Sequence, residues 1–276
     1  FNKFDNDQQF SFIGQFNNVN KQNFGGGGGQ GNGFGGGGNG GRGFGGGGGT
    51  TSGGGGITTT NAAGLNFGDT YKDGTQIQGS YFFNKSSVFN EQTSNTQTLL
   101  GNTSQNVNNY LNSNSDKLNH RFNFMIDTKL DSSTSIKIQP NIAYTENDGL
   151  SLNDYVRNNA VASGTSSTVG NQSYTTKNST PVITNNILVR KKFQRRGRTL
   201  SLNVNTSIND SNSDNINYIL DNNTINGVTT QKLTNQLNDL SSHNITNTTR
   251  VVYTEPLSKT TSLELNYQNG INNSTS

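Results

Sequence analysis

The chain has 276 residues, of which 27% are hydrophobic and 13% charged, with a formal net charge of +3 and a mean hydropathy of −0.75. Soluble domains are richer in apolar residues, so this is poor material for an ordinary packed core of this size. There is no cysteine, hence no disulfide framework and no thiolate metal site, and no apolar run reaches the ~18 residues of a transmembrane helix.

Two classes survive these limits. A chain this polar either stays disordered, because too little apolar burial offsets the ordering entropy, or turns its apolar surface to lipid and its interior to water, which needs an apolar residue only at every second position of a strand. Taken in order, the elements favour the second. Residues 10–17 read as a strand with Phe10, Phe12, Gly14 and Phe16 on one face. A glycine-rich loop follows: 23 of the 32 residues from 25 to 56 are Gly, and such a stretch loses much backbone freedom on ordering. Ala63, Leu65 and Phe67 alternate with Gly64, Asn66 and Gly68 up to the turn Lys72-Asp73-Gly74, an Asp-Gly hairpin signature. Ile77, Gly79, Tyr81 and Phe83 carry the returning strand.

Residues 85–116 read as a long polar loop. The clearest alternation runs over 118–130, with Leu118, His120, Phe122, Phe124, Ile126, Thr128 and Leu130 on one face. After the turn at 131–133, Ile136, Ile138, Pro140, Ile142 and Tyr144 face one way; Pro140 cannot donate a ladder hydrogen bond and predicts a bulge or a broken pair. Residues 147–179 read as a second loop. The strand at 182–193 has an ambiguous inward face because Ile187-Leu188-Val189 is continuous. Beyond a turn near Arg196, Leu200, Leu202, Val204 and Ile208 alternate with polar residues; 211–242 read as a third loop with a small hairpin of its own around Asn226-Gly227. Ile245, Thr249, Val251 and Tyr253 lead to a turn at 255–258, and Leu263, Leu265 and Tyr267 begin a ninth strand. The short turns recur roughly every 60 residues. Short turns on one side, long loops on the other and strands of about ten residues are the plan of a transmembrane β-barrel. Nine strands is an odd count, and an open edge in lipid leaves backbone groups unpaired. The chain opens at Phe1 without an apolar leader, so it is expected to be an internal fragment or mature material cut from something longer, and the odd strand count implies that the barrel continues beyond one or both ends.

The segments FSFIGQFNNVN (10–20), ITTTNAAGLNFGD (57–69), GSYFFN (79–84), RRGRTLSLNVNTSIN (195–209) and YTEPLSKTTSLELNYQ (253–268), with the glycine-rich loop between the first two, resemble the outer-membrane β-barrel family of TonB-dependent-receptor-like proteins of Bacteroidota-type Gram-negative bacteria. The resemblance implies an antiparallel up-and-down barrel of about 22 strands in the bacterial outer membrane. It also implies a plug domain, not visible in this sequence, and a TonB-type energy-coupling partner or a surface lipoprotein. All of residues 1–276 would belong to one barrel domain.

On this reading Phe10, Phe12, Leu65, Phe67, Phe122, Phe124, Ile126, Ile138, Leu202 and Val204 face lipid. Asn123, Asp127, Lys137, Gln139, Asn203 and Asn205 line the lumen, and Tyr71, Tyr144, Phe193 and Tyr253 sit near the interfaces. The remaining constellations read more plainly. Gly31-x-Gly33-x-x-Gly36 matches a dinucleotide fingerprint, but it has no preceding strand and no following helix. Arg42 between glycines is too little charge for an RNA-binding segment. The basic run Arg190, Lys191, Lys192, Arg195, Arg196 and Arg198 suits a turn at a membrane edge better than nucleic acid. Asp210, Asn212, Asp214 and Asp221 have calcium-loop spacing, but Asn215 stands where the sharp turn wants Gly. His120 and His243 fall on different strands, and nothing assembles a nucleophile, a base and an orienting group. The expectation is therefore a non-enzymatic transporter-like barrel with no cofactor and no nucleic-acid partner. An adhesive or complex-forming barrel is the alternative, and a secreted disordered Gly/Asn-rich protein a second one.

Overall fold

In a computed structural model, residues 1–5, 8–18, 56–101, 103–161 and 164–276 are described. The glycine-rich segment, apart from Gly56, lies outside them. The described residues form one antiparallel ten-stranded sheet with no helix: β1 (Asn2–Asp5), β2 (Gln8–Asn17), β3 (Ile57–Thr70), β4 (Gln76–Leu100), β5 (Thr103–Lys129), β6 (Thr134–Val161), β7 (Gly164–Lys192), β8 (Thr199–Ile225), β9 (Val228–Pro256) and β10 (Ser262–Thr275). Each strand pairs with its neighbour in sequence, and β1 does not meet β10, so the sheet is an open up-and-down meander. The count is ten rather than nine because the four residues of β1 add a short first strand that their lack of alternation hides.

The largest correction concerns the long loops. Residues 85–116, 147–179 and 211–242 are strand almost throughout, and the hairpins β4–β5, β6–β7 and β8–β9 zip to their tips. Among the described residues no second layer covers either face of these extensions, so the apolar alternation that marks a half-buried strand is not required. Thr, Ser, Asn and Gln pair across strands instead: Gln105 donates to Asn159 (2.8 Å), Thr168 to Asn223 (2.7 Å) and Gln172 to Asn217 (2.9 Å). The β8–β9 tip is Asn226-Gly227, both at positive φ (50° and 82°), the geometry of a two-residue hairpin turn.

The short turns use side chains as turn formers. The Asp73 carboxylate accepts from the Thr75 amide (2.9 Å) and hydroxyl (3.1 Å). Asp131 accepts from the Ser133 and Thr134 amides and hydroxyls at 2.6–2.9 Å, and Ser258 Oγ from the Thr260 and Thr261 amides. These local bonds hold both carboxyls below their usual range. Pro140 interrupts the β5–β6 ladder as expected: the paired register passes from Asn123–Asn141 to Ile126–Ile138 without a bulge. A conventional core is missing: Ala62, 2% exposed, is the one buried hydrophobic among the described residues.

Candidate functional site

Directly paired residues on antiparallel strands share a face. The register therefore sorts the wall of β2–β10 into two surfaces. One row runs Phe12, Leu65, Tyr81, Phe122, Ile142, Ile183, Ile208, Ile245. Another runs Ile77, Ile126, Ile138, Ile187, Val204, Thr249, and a third Ile136, Val189, Leu202, Val251, Tyr267. Phe10 and Phe67 pair on the same face, and Phe124 lies between two of its rows. All ten residues expected on the apolar side thus share one face. Six of them are exposed, Phe12 at 45%, Phe122 at 41% and Leu202 at 38% among them, and Phe124, Ile126, Ile138 and Val204 are half-buried. The ambiguous strand resolves, with Ile187 and Val189 on this face and Leu188 on the other.

From the His120 row to Leu130, which opens the β5–β6 turn, is ten residues. At about 3.3 Å per residue that run is roughly 33 Å of strand; at the 35–45° tilt of membrane barrels it would span about 25 Å, the height of their apolar band. Nine strands at about 4.8 Å spacing make a patch of roughly 1,000 Å², above the 300–600 Å² of a typical largest patch on a soluble monomer. One row is polar in its second half: Asn185, Thr206 and Asn247 follow Phe124 and Pro140. Asn247 satisfies an amide hydrogen by donating to Thr206 Oγ1 at 3.1 Å.

The opposite face carries all six residues expected on the lumen side. Asn123 donates to Ser80 Oγ (2.9 Å), Asn66 to Ser11 Oγ (3.2 Å) and Asn141 to Thr184 Oγ1 (3.3 Å). Asn186, Asn203 and Asn205 bond to one another across β7 and β8. Asp127 pairs with Lys137 in register, and both its carboxylate oxygens accept from Arg190 Nη2 at 2.9 Å.

Each end of the apolar band has its own rim. At the short-turn end, Glu255 receives Arg195 (2.7 Å) and a fork from Arg198 (2.7 and 2.8 Å), and its carboxyl is held down at about 2 chiefly by the Arg198 bonds. The Phe193 and Tyr253 rings meet edge-on with centroids 6.5 Å apart, and Tyr71 stands at the β3–β4 turn. At the other end, His120 lies among Tyr81, Phe83 and Tyr144, with the Tyr81 hydroxyl 2.7 Å from its Nδ1. The register puts Pro181 beside Tyr144 and His243 beside Asp210, whose carboxylate meets the His243 Nδ1. Two rows outward the same face carries Asp116, Asp148, Lys177, Asp214 and Asp239 in a single row.

The calcium spacing does not assemble. Asp210, Asn212 and Asp214 lie along β8 on the apolar-band face, whereas Asp221 is on the other and accepts from the Tyr155 hydroxyl. No group of three or more His, Asp or Glu able to hold a metal occurs among the described residues. The Tyr155 ring crosses Gly170, where a Cβ would come within 2.2 Å of it. Burial first, then the bond to Asp221, pushes the Tyr155 hydroxyl up to about 12. Spacing could not reveal this lock, since three strands supply it; a Gly amid β-branched and polar strand residues was its one sequence signal. No family model matches the chain, and no curated protein matches it.

Proposed function

We propose that this chain forms wall of an outer-membrane β-barrel of the TonB-dependent-receptor-like kind, which binds or moves a substrate at the cell surface. The observation that carries the reading is the two-sidedness of β2–β10: one face apolar over about 25 Å, the other a ladder of amides and hydroxyls. Hydrocarbon is the solvent that suits the first face, and a water-filled lumen or a polar plug suits the second. An open edge is costly in lipid, because each unpaired backbone group costs several kcal/mol. The β1–β2 side and β10 are therefore edges to be paired when the wall closes. The test is refolding into detergent micelles or lipid vesicles, followed by gel electrophoresis with and without boiling. A barrel wall gives strong β circular dichroism and a faster-migrating unboiled band. A disordered secreted chain gives neither.

A second reading is favoured by the paired extensions. The β4–β5 hairpin continues about seventeen residues past the His120 row, roughly 55 Å along the strands, with polar side chains on both faces. Such projecting sheet suits a surface adhesin or an assembly platform without transport. Shortening the β8–β9 tip would then abolish attachment of cells carrying the protein. Under the transporter reading attachment is unaffected.

A further inference from the structure

The register sorts charge as well as polarity. Among the described residues of β3–β10, the face with the apolar band holds ten carboxylates, Asp69 and Glu255 near the short turns and eight from the His120 row outward. Only three cations share that face, Lys85, Lys177 and Lys191. The polar face is the reverse, with nine cations and three carboxylates. Lys117, Arg157 and Lys232 stand on it in the extensions, and Arg121 next to the His120 row. Lys129, Lys137, Arg190, Lys192 and Arg250 follow toward the short turns. Two of the opposing carboxylates are engaged, Asp127 by Arg190 and Asp221 by the Tyr155 hydroxyl, and Glu264 stands on β10 in the row of Lys192. Of the nine cations, Arg190 alone has an ion pair among the described residues, and all but Lys137 are exposed. A cavity of about 390 Å³ opens on the same face across β4–β7, lined in part by Gln92, Asn109, Asn153, Gln172 and Tyr174, with no carboxylate in its lining. The side-chain amides of Gln92 and Asn153 have no partner among the described residues, and each offers N–H donors to an anion.

We infer that the polar face is an anion-collecting surface, and that the solute bound or moved along it is a small, multiply charged anion. The inference rests on the transporter reading, in which the polar face is the lumen side. Charge of one sign on a low-dielectric wall focuses the field and raises the local concentration of counter-ions. Lys and Arg are the lining of anion- and phosphate-selective pores. Two features favour a solute over an acidic plug as the occupant. The cations run almost the whole length of the face: from Arg190, beside Ser135, to Arg157 is 22 residues of β6. That is roughly 70 Å of strand, about twice the run that carries the apolar band and so well beyond the part of the lumen that lies within the membrane. They are also exposed and, Arg190 apart, uncommitted to carboxylates of their own face, which leaves them open to a mobile partner.

The test uses refolded protein in phosphatidylcholine vesicles. The chain has no cysteine, so single nitroxides can be attached through Asn123→Cys, Asn153→Cys and Asn203→Cys on the polar face and Asn114→Cys on the other. Collision with chromium(III) trisoxalate, a trianion, is compared with collision with a neutral nickel chelate, each relative to free nitroxide. The expected result is a several-fold excess of the trianion at Asn123, Asn153 and Asn203 in low salt, and a deficit at Asn114. The excess falls toward one in high salt, and citrate lowers it more than sodium chloride of the same ionic strength. At Asn123 it falls in K117Q/R121Q and is kept in K85Q/K177Q, which removes two cations from the other face. Equal ratios on the two faces, an unchanged excess in K117Q/R121Q, or citrate no more effective than chloride overturns the anionic solute while leaving the lumen-side reading intact. An excess at Asn203 with none at Asn123 and Asn153 also overturns it, and assigns the cations to an acidic plug. Exclusion of the neutral chelate from Asn123 and Asn203 overturns the water-filled lumen, and the anion path with it.

Discussion

Gly170 is small because Tyr155 lies across it to reach Asp221. Gly170→Ala puts a Cβ into that ring, and overpacking of this kind costs about 1–3 kcal/mol. The Tyr155 hydroxyl should then titrate near the ordinary tyrosine value rather than about 12, read as the difference between ultraviolet pH titrations of each protein and its Tyr155→Phe counterpart. A second residue-scale expectation follows from Glu255, whose folded-state carboxyl sits at about 2, below its ordinary 4.5. A depressed carboxyl stabilises the fold above its unfolded value and loses that contribution as pH falls through the folded one. The urea midpoint of the wild type should exceed that of Glu255→Gln at neutral pH, and the difference should vanish as pH falls from about 4.5 to about 2. A constant difference over that window would mean that the Arg195 and Arg198 bonds do not set the stability of this turn.

At the scale of the element, alternation was the legible signal, and it was legible where one side of a strand differs from the other. Phe122, Phe124 and Ile126 against Asn123 and Asp127 announce both a strand and its faces, and the Asp-Gly and Asn-Gly pairs announce their turns. The extensions carry no such contrast. In residues 103–116, Asn and Ser stand on both faces, so period two exists in the backbone but not in the chemistry, and a paired strand looks like a loop. The Asn226-Gly227 turn was the visible clue that polar strands flank it. The same blindness hid the His243–Asp210 and Tyr155–Asp221 pairs, which depend on register between strands. Hydrogen exchange checks the point: amides of residues 86–98 and 106–116 should be protected to a degree comparable with 119–127, whereas loops would exchange at once. The two faces also predict an asymmetry in substitution. Leu202→Arg should cost roughly 2–4 kcal/mol when the wall is in a bilayer, and Asn203→Arg little. Equal costs in a refolding titration would mean that the faces are not differently solvated.

For the molecule as a whole, the sheet is a wall without a second layer. Among the described residues nothing covers its apolar surface or pairs with its β10 edge, and its charge is divided between a basic short-turn rim and an outer rim rich in aspartate. A soluble protein would leave these features as an aggregation liability; a bilayer with closing strands satisfies the first two. The most direct measurement is a nitroxide scan of positions 122–127 and 200–205 in vesicles, comparing collision with oxygen, which partitions into hydrocarbon, and with a water-soluble nickel chelate. Oxygen accessibility should alternate with period two, high at Phe122, Phe124, Ile126, Leu202 and Val204 and low at Asn123, Asp127, Asn203 and Asn205, with the nickel chelate opposite in phase. Uniform accessibility to the nickel chelate, or no alternation, would contradict a lipid-facing wall.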